Sequence, residues 1–242
     1  MLRNMLISLV ILLVLADWAI ADTIVYLGDT APLPAQDAAL VAIFEELGFD
    51  IEEHADEEKQ PVDTAGAVLV FISRSVSSVN VLGAYNKHSI PVVVAESHMW
   101  DDMHFATDGT FIENNTQDII IVDEDHPIAG ELKGKVEVTS NIALFMSSSD
   151  WKGDAQIVAT VPKDTGAIVC YEKGATLGDG SKAPARRVCL FTSRDTFPIL
   201  TDEGRGIMER TVLWALGRLE QPVNPEGTLA VTWGAIKIPD HR

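Results

Sequence analysis

Two uninterrupted apolar runs, Ala67–Ile72 and residues 91–95, most restrict what this 242-residue chain can become. A strand that faces water on one side alternates apolar with polar residues, whereas a strand without alternation has to be covered on both faces. Parallel strands with crossovers packed above and below them meet that requirement. Between the two runs, residues 79–88 read as a helix, and another apolar strand, residues 23–27, lies one helix upstream. In that upstream crossover Pro32 and Pro34 precede Ala39, Leu40, Ile43, Phe44 and Leu47 at helical spacing, and Gly48 closes the helix. Residues 50–54 fit an edge strand and 55–59 a charged, solvated connection. The spacing predicts an α/β fold, a flavodoxin-like doubly wound and mainly parallel sheet.

Further along, strands are expected at 119–122, 136–138, 156–161, 167–172 and 187–192. A short helix is expected at 126–132, with Pro127 near its first turn. The turn-rich stretch 174–184 makes a late antiparallel hairpin of its neighbours. The segment 202–219 is an amphipathic helix that offers Ile207, Met208, Val212, Leu213, Trp214 and Leu216 to the core, with Gly217 at its end.

Ahead of this domain, Arg3 precedes an apolar run from Met5 to Leu15 broken only by Ser8, and Ala19-Ile20-Ala21 follows as a small-x-small cleavage site. That is the layout of a secretory signal peptide, and the run is short for a membrane span, which needs about 20 residues. The organisation expected is a signal peptide at 1–21, a domain at 22–219 and a tail at 220–242, with a periplasmic or extracellular destination. The chain has 36 acidic against 18 basic residues, a net charge of −18, and loss of the leader removes one charge of each sign, Arg3 and Asp17. Such a surface repels phosphate backbones and anionic lipid, which argues against nucleic-acid and membrane partners once the leader is gone. Two cysteines exclude a disulfide scaffold and a four-cysteine zinc site. Cys170 and Cys189 fall on the two arms of the expected hairpin in a register that can oppose them, and export permits a disulfide; two separate buried thiols are the alternative.

Three stretches resemble the ThuA-like (trehalose-utilisation) branch of the class I glutamine amidotransferase-like superfamily. They are Asp-His-Pro-Ile-Ala-Gly-Glu-Leu at 125–132, the hairpin strands 167–174 and 187–193, and the closing helix 208–217 with Trp214 near its end. The resemblance covers most of 23–219 and implies the amidotransferase-like fold with a carbohydrate-related context. The amidotransferase mechanism needs a cysteine on the turn after a central strand, and here that turn reads Ala95-Glu96-Ser97-His98-Met99. Glutamine hydrolysis by that mechanism is therefore rejected. ThuA-like proteins often carry Gly-His after the last strand, where this chain has Ser193-Arg194-Asp195.

Open α/β sheets bind ligands outside the carboxyl ends of their strands. Collecting those ends gives Asp29, Ser73-Arg74-Ser75, Glu96-Ser97-His98 and Arg194-Asp195. Two guanidinium groups with flanking hydroxyls at one rim suit a carboxylate, a sulfate or a sugar acid, and each arginine can instead pair with a neighbouring acid such as Glu96 or Asp195. The ligand expected is small and polar, a carbohydrate or sugar acid in the context the resemblance implies. Glu96, His98, Asp101, Asp102 and His104 crowd one loop, and Trp100 in the same loop either stacks on a sugar or plugs the core. No glycine-rich phosphate loop follows the first strand, so no nucleotide cofactor is expected. Two alternatives stay open: a non-catalytic interaction module, and a metal-dependent hydrolase built on residues 96–104. Ligand identity and oligomeric state are not encoded legibly.

Exported protein is expected to begin at Asp22. Intact-mass measurement of the secreted product checks this, and a product that still begins at Met1 would point to an uncleaved anchor.

Overall fold

The strands of the parallel half divide their side chains between two apolar layers, which is why their sequences show no polar alternation. The computed structural model describes residues 21–162, 164–193 and 195–219. Its elements are β1 (Thr23–Gly28), α1 (Ala35–Glu46), β2 (Asp50–Ala55), β3 (Ala67–Ile72), α2 (Ser78–Val81), β4 (Val92–Val94), β5 (Phe111–Thr116), β6 (Asp118–Ile121) and β7 (Gly134–Glu137). Then come β8 (Ala143–Ser148), β9 (Gln156–Val161), β10 (Thr165–Tyr171), β11 (Arg187–Leu190) and α3 (Asp202–Ala215). The order across the sheet is β2-β1-β3-β4-β11-β10-β9-β6-β7 among the described residues. β2 through β11 in that order run parallel, and the remainder continues antiparallel. β5 pairs with β8, which meets β10 where Ser148 faces Gly166. The fold is α/β as the spacing predicts, with β2 at the sheet edge. The expected leader, apart from Ala21, and the tail from Glu220 onward lie outside the described residues. Among the described residues no helix is long and apolar enough to cross a membrane.

On β3, Leu69 and Phe71 face one layer and Val70 and Ile72 the other. The first layer is roofed by α1 with Leu40 and Phe44 and by α3 with Ile207, Met208, Val212 and Trp214. Thr201 caps α3, its hydroxyl accepting from Gly204 N–H at 3.1 Å. Gly204 has to be glycine because a Cβ there would lie 2.1 Å from the Val138 carbonyl oxygen. The second layer is roofed by Tyr85, Met99, Trp100, Met103 and Phe105, which come from short turns rather than a long helix.

The helix expected at 79–88 is thus corrected: α2 stops at Val81, Leu82 takes a left-handed φ of 46°, and turns follow. The turns donate back three residues, Ala84 to Val81, Asn86 to Gly83 and His88 to Tyr85, and they lead to Arg187 at the start of β11. Its guanidinium, with no exposed surface, donates to the carbonyls of His88 (2.6 Å), Ile90 (3.1 Å), Arg186 (3.1 Å) and Asn86 (3.5 Å). Three of these carbonyls, Asn86, His88 and Ile90, lie near or beyond the end of the expected helix, and holding them fixes the approach to β4. Burial lowers the Arg187 pKa to about 10, which still leaves it cationic at neutral pH.

The helix expected at 126–132 is corrected in the same way. Ala129, Gly130 and Leu132 donate back three residues to His126, Pro127 and Ala129, making successive turns. Gly130 takes φ +60°, and the Ile128 carbonyl accepts from Arg210 Nε of α3 at 2.7 Å. The disulfide expectation is corrected too. The β10–β11 register pairs Val169 with Cys189 and Cys170 with Val188. Because side chains alternate along a strand, this one-residue offset sends the two thiols to opposite layers, where both are buried and free.

His126 lies under Trp214, ring centroids 5.0 Å apart, and its Nδ1 accepts from Ile128 N–H at 3.2 Å. Burial lowers its pKa to about 4. The unfolded chain, at the ordinary value of 6.5, then binds a proton that the folded chain refuses. Stability is therefore lost as pH falls from about 6.5 toward 4, by roughly 3 kcal/mol over that window. His126→Asn keeps an acceptor near Ile128 N–H and lacks this titration. Urea midpoints at pH 7 and pH 4.5 should converge between wild type and variant at the lower pH, and parallel pH curves would show that His126 titrates alike in the folded and unfolded chain.

Candidate functional site at the carboxyl rim of the sheet

The four strands whose ends carry the expected site residues, β1, β3, β4 and β11, are consecutive neighbours in the sheet. Ladder bonds continue past their ends, from Ser73 N–H to Leu27 O (2.9 Å) and from Ala95 N–H to Ile72 O (2.8 Å), so the turns leave the sheet side by side. The rim is contiguous, and it is organised by two buried carboxylates.

The first is Asp37, which sequence reasoning missed because it sits in the first turn of α1 and not at a strand end. It is 1% exposed and accepts from the hydroxyls of Ser73 (2.6 Å) and Ser75. The Ser75 hydroxyl also accepts from Asp29 N–H at 3.1 Å. Ser73 and Ser75 are therefore committed to holding the β3 turn onto α1, and the Asp29 backbone joins them. An acid in a first helical turn also faces the positive end of the helix dipole. Tyr26 on β1 lies beneath this network, its hydroxyl pushed well above the ordinary pKa by burial and by the neighbouring Asp37.

The second is Glu96, 1% exposed, on the turn after β4. One oxygen pairs with Arg74 Nη1 and the other accepts from His98 N–H at 2.8 Å. Burial raises its pKa; Arg74 first, then the hydrogen bond from His98, pull it back without cancelling the rise. Arg74 keeps about a fifth of its side chain exposed, and its Nε is buried without a partner among the described residues. Ser97 is fully buried with its hydroxyl likewise unpartnered. His98 is exposed, its ring edge-on to Phe111 at 5.0 Å. On β11's turn, Ser193 is tied to Thr196, N–H to hydroxyl at 2.9 Å, and Asp195 is exposed. Arg194 lies outside the described residues.

The rim therefore brings Arg74 and Glu96 together, the pairing expected of an arginine that meets a neighbouring acid. The loop at 96–104 does not converge. Trp100 is fully buried against Trp151 (4.8 Å) and Phe111 (6.2 Å), so it plugs the core and offers no sugar platform. His104 turns toward Asp179 at 3.5 Å. Among the described residues no three His, Cys, Asp or Glu side chains gather as a metal-ligand set. The antiparallel β5–β8 pair, also missed, lies beside the rim, with Met146 N–H donating to Phe191 O at 2.7 Å. On β5 the inward positions are Asn114 and Thr116, so the polar residues face in and the usual alternation signal is inverted. Asn114 donates to Ser147 (3.0 Å), which bonds Thr165 (2.6 Å).

A nucleophile elbow places its residue on a strained turn between strand and helix. Glu96 has ordinary extended angles, φ −78° and ψ 108°, and a short 3-10 turn follows it. Both cysteines sit inside strands with thiols pushed well above their ordinary pKa by burial, the opposite of what a thiolate nucleophile needs.

Sheet order and crossovers agree with the class I glutamine amidotransferase-like fold, and the turn after β4 carries no cysteine. Among solved structures, the chain is similar to a protein from Thermoplasma acidophilum assigned to GMP synthase, with TM-score 0.56 and 13% identity over 82% of this chain and 94% of that one. It is also similar to a ThuA-like protein from Parabacteroides merdae, with TM-score 0.53 and 14% identity over 84% and 92%. At these identities the likeness is one of fold. No protein-family model matches the chain, and no curated protein matches it.

Asp37→Ala strands two buried hydroxyls and is expected to cost roughly 3 kcal/mol in urea unfolding, since each hydrogen bond to a charged group contributes roughly 1.5–3 kcal/mol. Ser73→Ala should cost about half as much. An Asp37→Ala variant as stable as wild type would mean that the rim turn is held by other contacts.

Proposed function

We propose that this chain is a secreted, ThuA-like binding domain that holds a small polar ligand bearing an acid group, such as a sugar acid, at the carboxyl rim of its sheet. Export rests on the leader-like sequence at 1–21, and the carbohydrate context on the ThuA resemblance. The observation that carries the reading is Arg74: a partly exposed side chain at the centre of the rim, with Nε unpartnered among the described residues and its counter-charge on a buried carboxylate of raised pKa. Arginine's planar fork suits a carboxylate or sulfate. Ser73 and Ser75 act as positioning residues in this reading, since Asp37 already holds their hydroxyls.

Calorimetric titration of the mature protein with D-galacturonate, D-glucuronate and sulfate, against neutral D-glucose, tests it. The acids are expected to bind and glucose not. Arg74→Met should weaken binding ten- to hundredfold, the worth of a charged hydrogen bond, with an unchanged circular dichroism spectrum. Equal binding of glucose, or an unaffected Arg74→Met, would overturn the reading.

A second reading, an interaction module, is favoured by Val79 and Leu82, which are 72% and 51% exposed just after the β3 rim turn. Leu82 also holds a left-handed backbone, a strain that structures tend to keep at functional surfaces.

A further inference from the structure

We infer that the rim binds its anion together with a proton, Glu96 being the built-in occupant that the ligand displaces from Arg74. The inference rests on the anion-binding reading and specifies how that site is regulated. In the empty rim the Arg74 guanidinium is taken by the Glu96 carboxylate. Glu96 holds Nη1, so an oxyanion that takes the Nη1/Nη2 fork competes with it directly.

Three charges would then meet where two met before. Among the described residues, the charged groups acting on Glu96 are Arg74, from the turn after β3, and His98, from its own turn. Arg74 already fails to offset the burial of one carboxylate fully. It cannot neutralise two at once in a site where Glu96 is 1% exposed. The arrangement of lowest charge has Glu96 neutral. One proton moves from solvent to the Glu96 oxygen released by Arg74, and no other bond is made or broken. The new O–H donates to the ligand oxyanion, which Arg74 holds from the other side. The second Glu96 oxygen keeps the hydrogen bond from His98 N–H, so the carboxyl is held in place while its charge changes. Two acid groups sharing one proton in a buried site is a recurrent solution to like-charge repulsion.

The ligand class that follows is an oxyanion exposing a free carboxylate or sulfate face, and its affinity rises as pH falls. Titrations of the mature protein with D-galacturonate and with sulfate, at pH 5.5–8 and in buffers of different ionisation enthalpy, read the coupling directly. Wild type is expected to take up close to one proton per bound anion near pH 7.5, with affinity weakening toward tenfold per pH unit. Glu96→Gln should take up none, bind with a flat pH profile, and bind at least tenfold more tightly than wild type at pH 7.5. His98→Asn, which keeps the backbone N–H on Glu96, should retain the uptake and so separate Glu96 from the nearby imidazole. Wild-type binding without proton uptake overturns the inference and leaves the anion-binding reading standing. No binding by wild type and Glu96→Gln at any pH overturns both. The buffer series on wild type needs no variant, so a Glu96→Gln chain that does not fold still leaves a decisive measurement.

Discussion

A guanidinium with no exposed surface holds the cover of the second apolar layer in place. Arg187 gathers the carbonyls of Asn86, His88 and Ile90 around the head of β11. Those residues lead directly into β4, so the same contacts seat β4 between β3 and β11. A buried cation without a carboxylate is expensive unless its donors are satisfied, and here main-chain dipoles satisfy most of them. The arrangement fixes the turns at 86–90 that lead into β4. It also explains how a sheet with long helices on one face still buries both faces. The β4 turn, which carries Glu96, inherits its position from this anchor.

At the opposite end of the parallel strands, two carboxylates divide the labour. Asp37 is surrounded by hydroxyl donors and fixes the β3 turn to α1. Glu96 has one guanidinium and one backbone N–H, and its pKa stays raised by burial. The first is structural in its physics. The second is a charge whose burial its partners do not fully offset.

The fold is shared with amidotransferase-like and ThuA-like proteins, and the turn after β4 carries Glu96-Ser97-His98 with no cysteine. Nothing at Glu96 carries the backbone strain of a nucleophile elbow. The cysteines are spent as small apolar side chains on opposite faces of neighbouring strands. A common scaffold thus presents different groups at the same strand ends, as expected where fold and function are set by different residues.

The amino-acid sequence by itself determined the parallel core, α1, the position of α3, the late hairpin and the list of strand ends from which Arg74 and Glu96 come. Each is a matter of local periodicity, and periodicity reports which faces of an element are covered. Tertiary structure decided the rest. The helix expected at 79–88 broke into three-residue turns after Leu82, and at 126–132 Arg210 claims the Ile128 carbonyl that a local ladder would use. The thiols of Cys170 and Cys189 were separated by a register that no local pattern encodes. Asp37 entered the site from a helix, and β5 was hidden by polar residues that face inward to meet partners from β8 and β10. The reason is common to all of these. A backbone carbonyl, a hydroxyl or a carboxylate can be satisfied by any donor that reaches it, and which donor arrives is known only once distant segments are packed together.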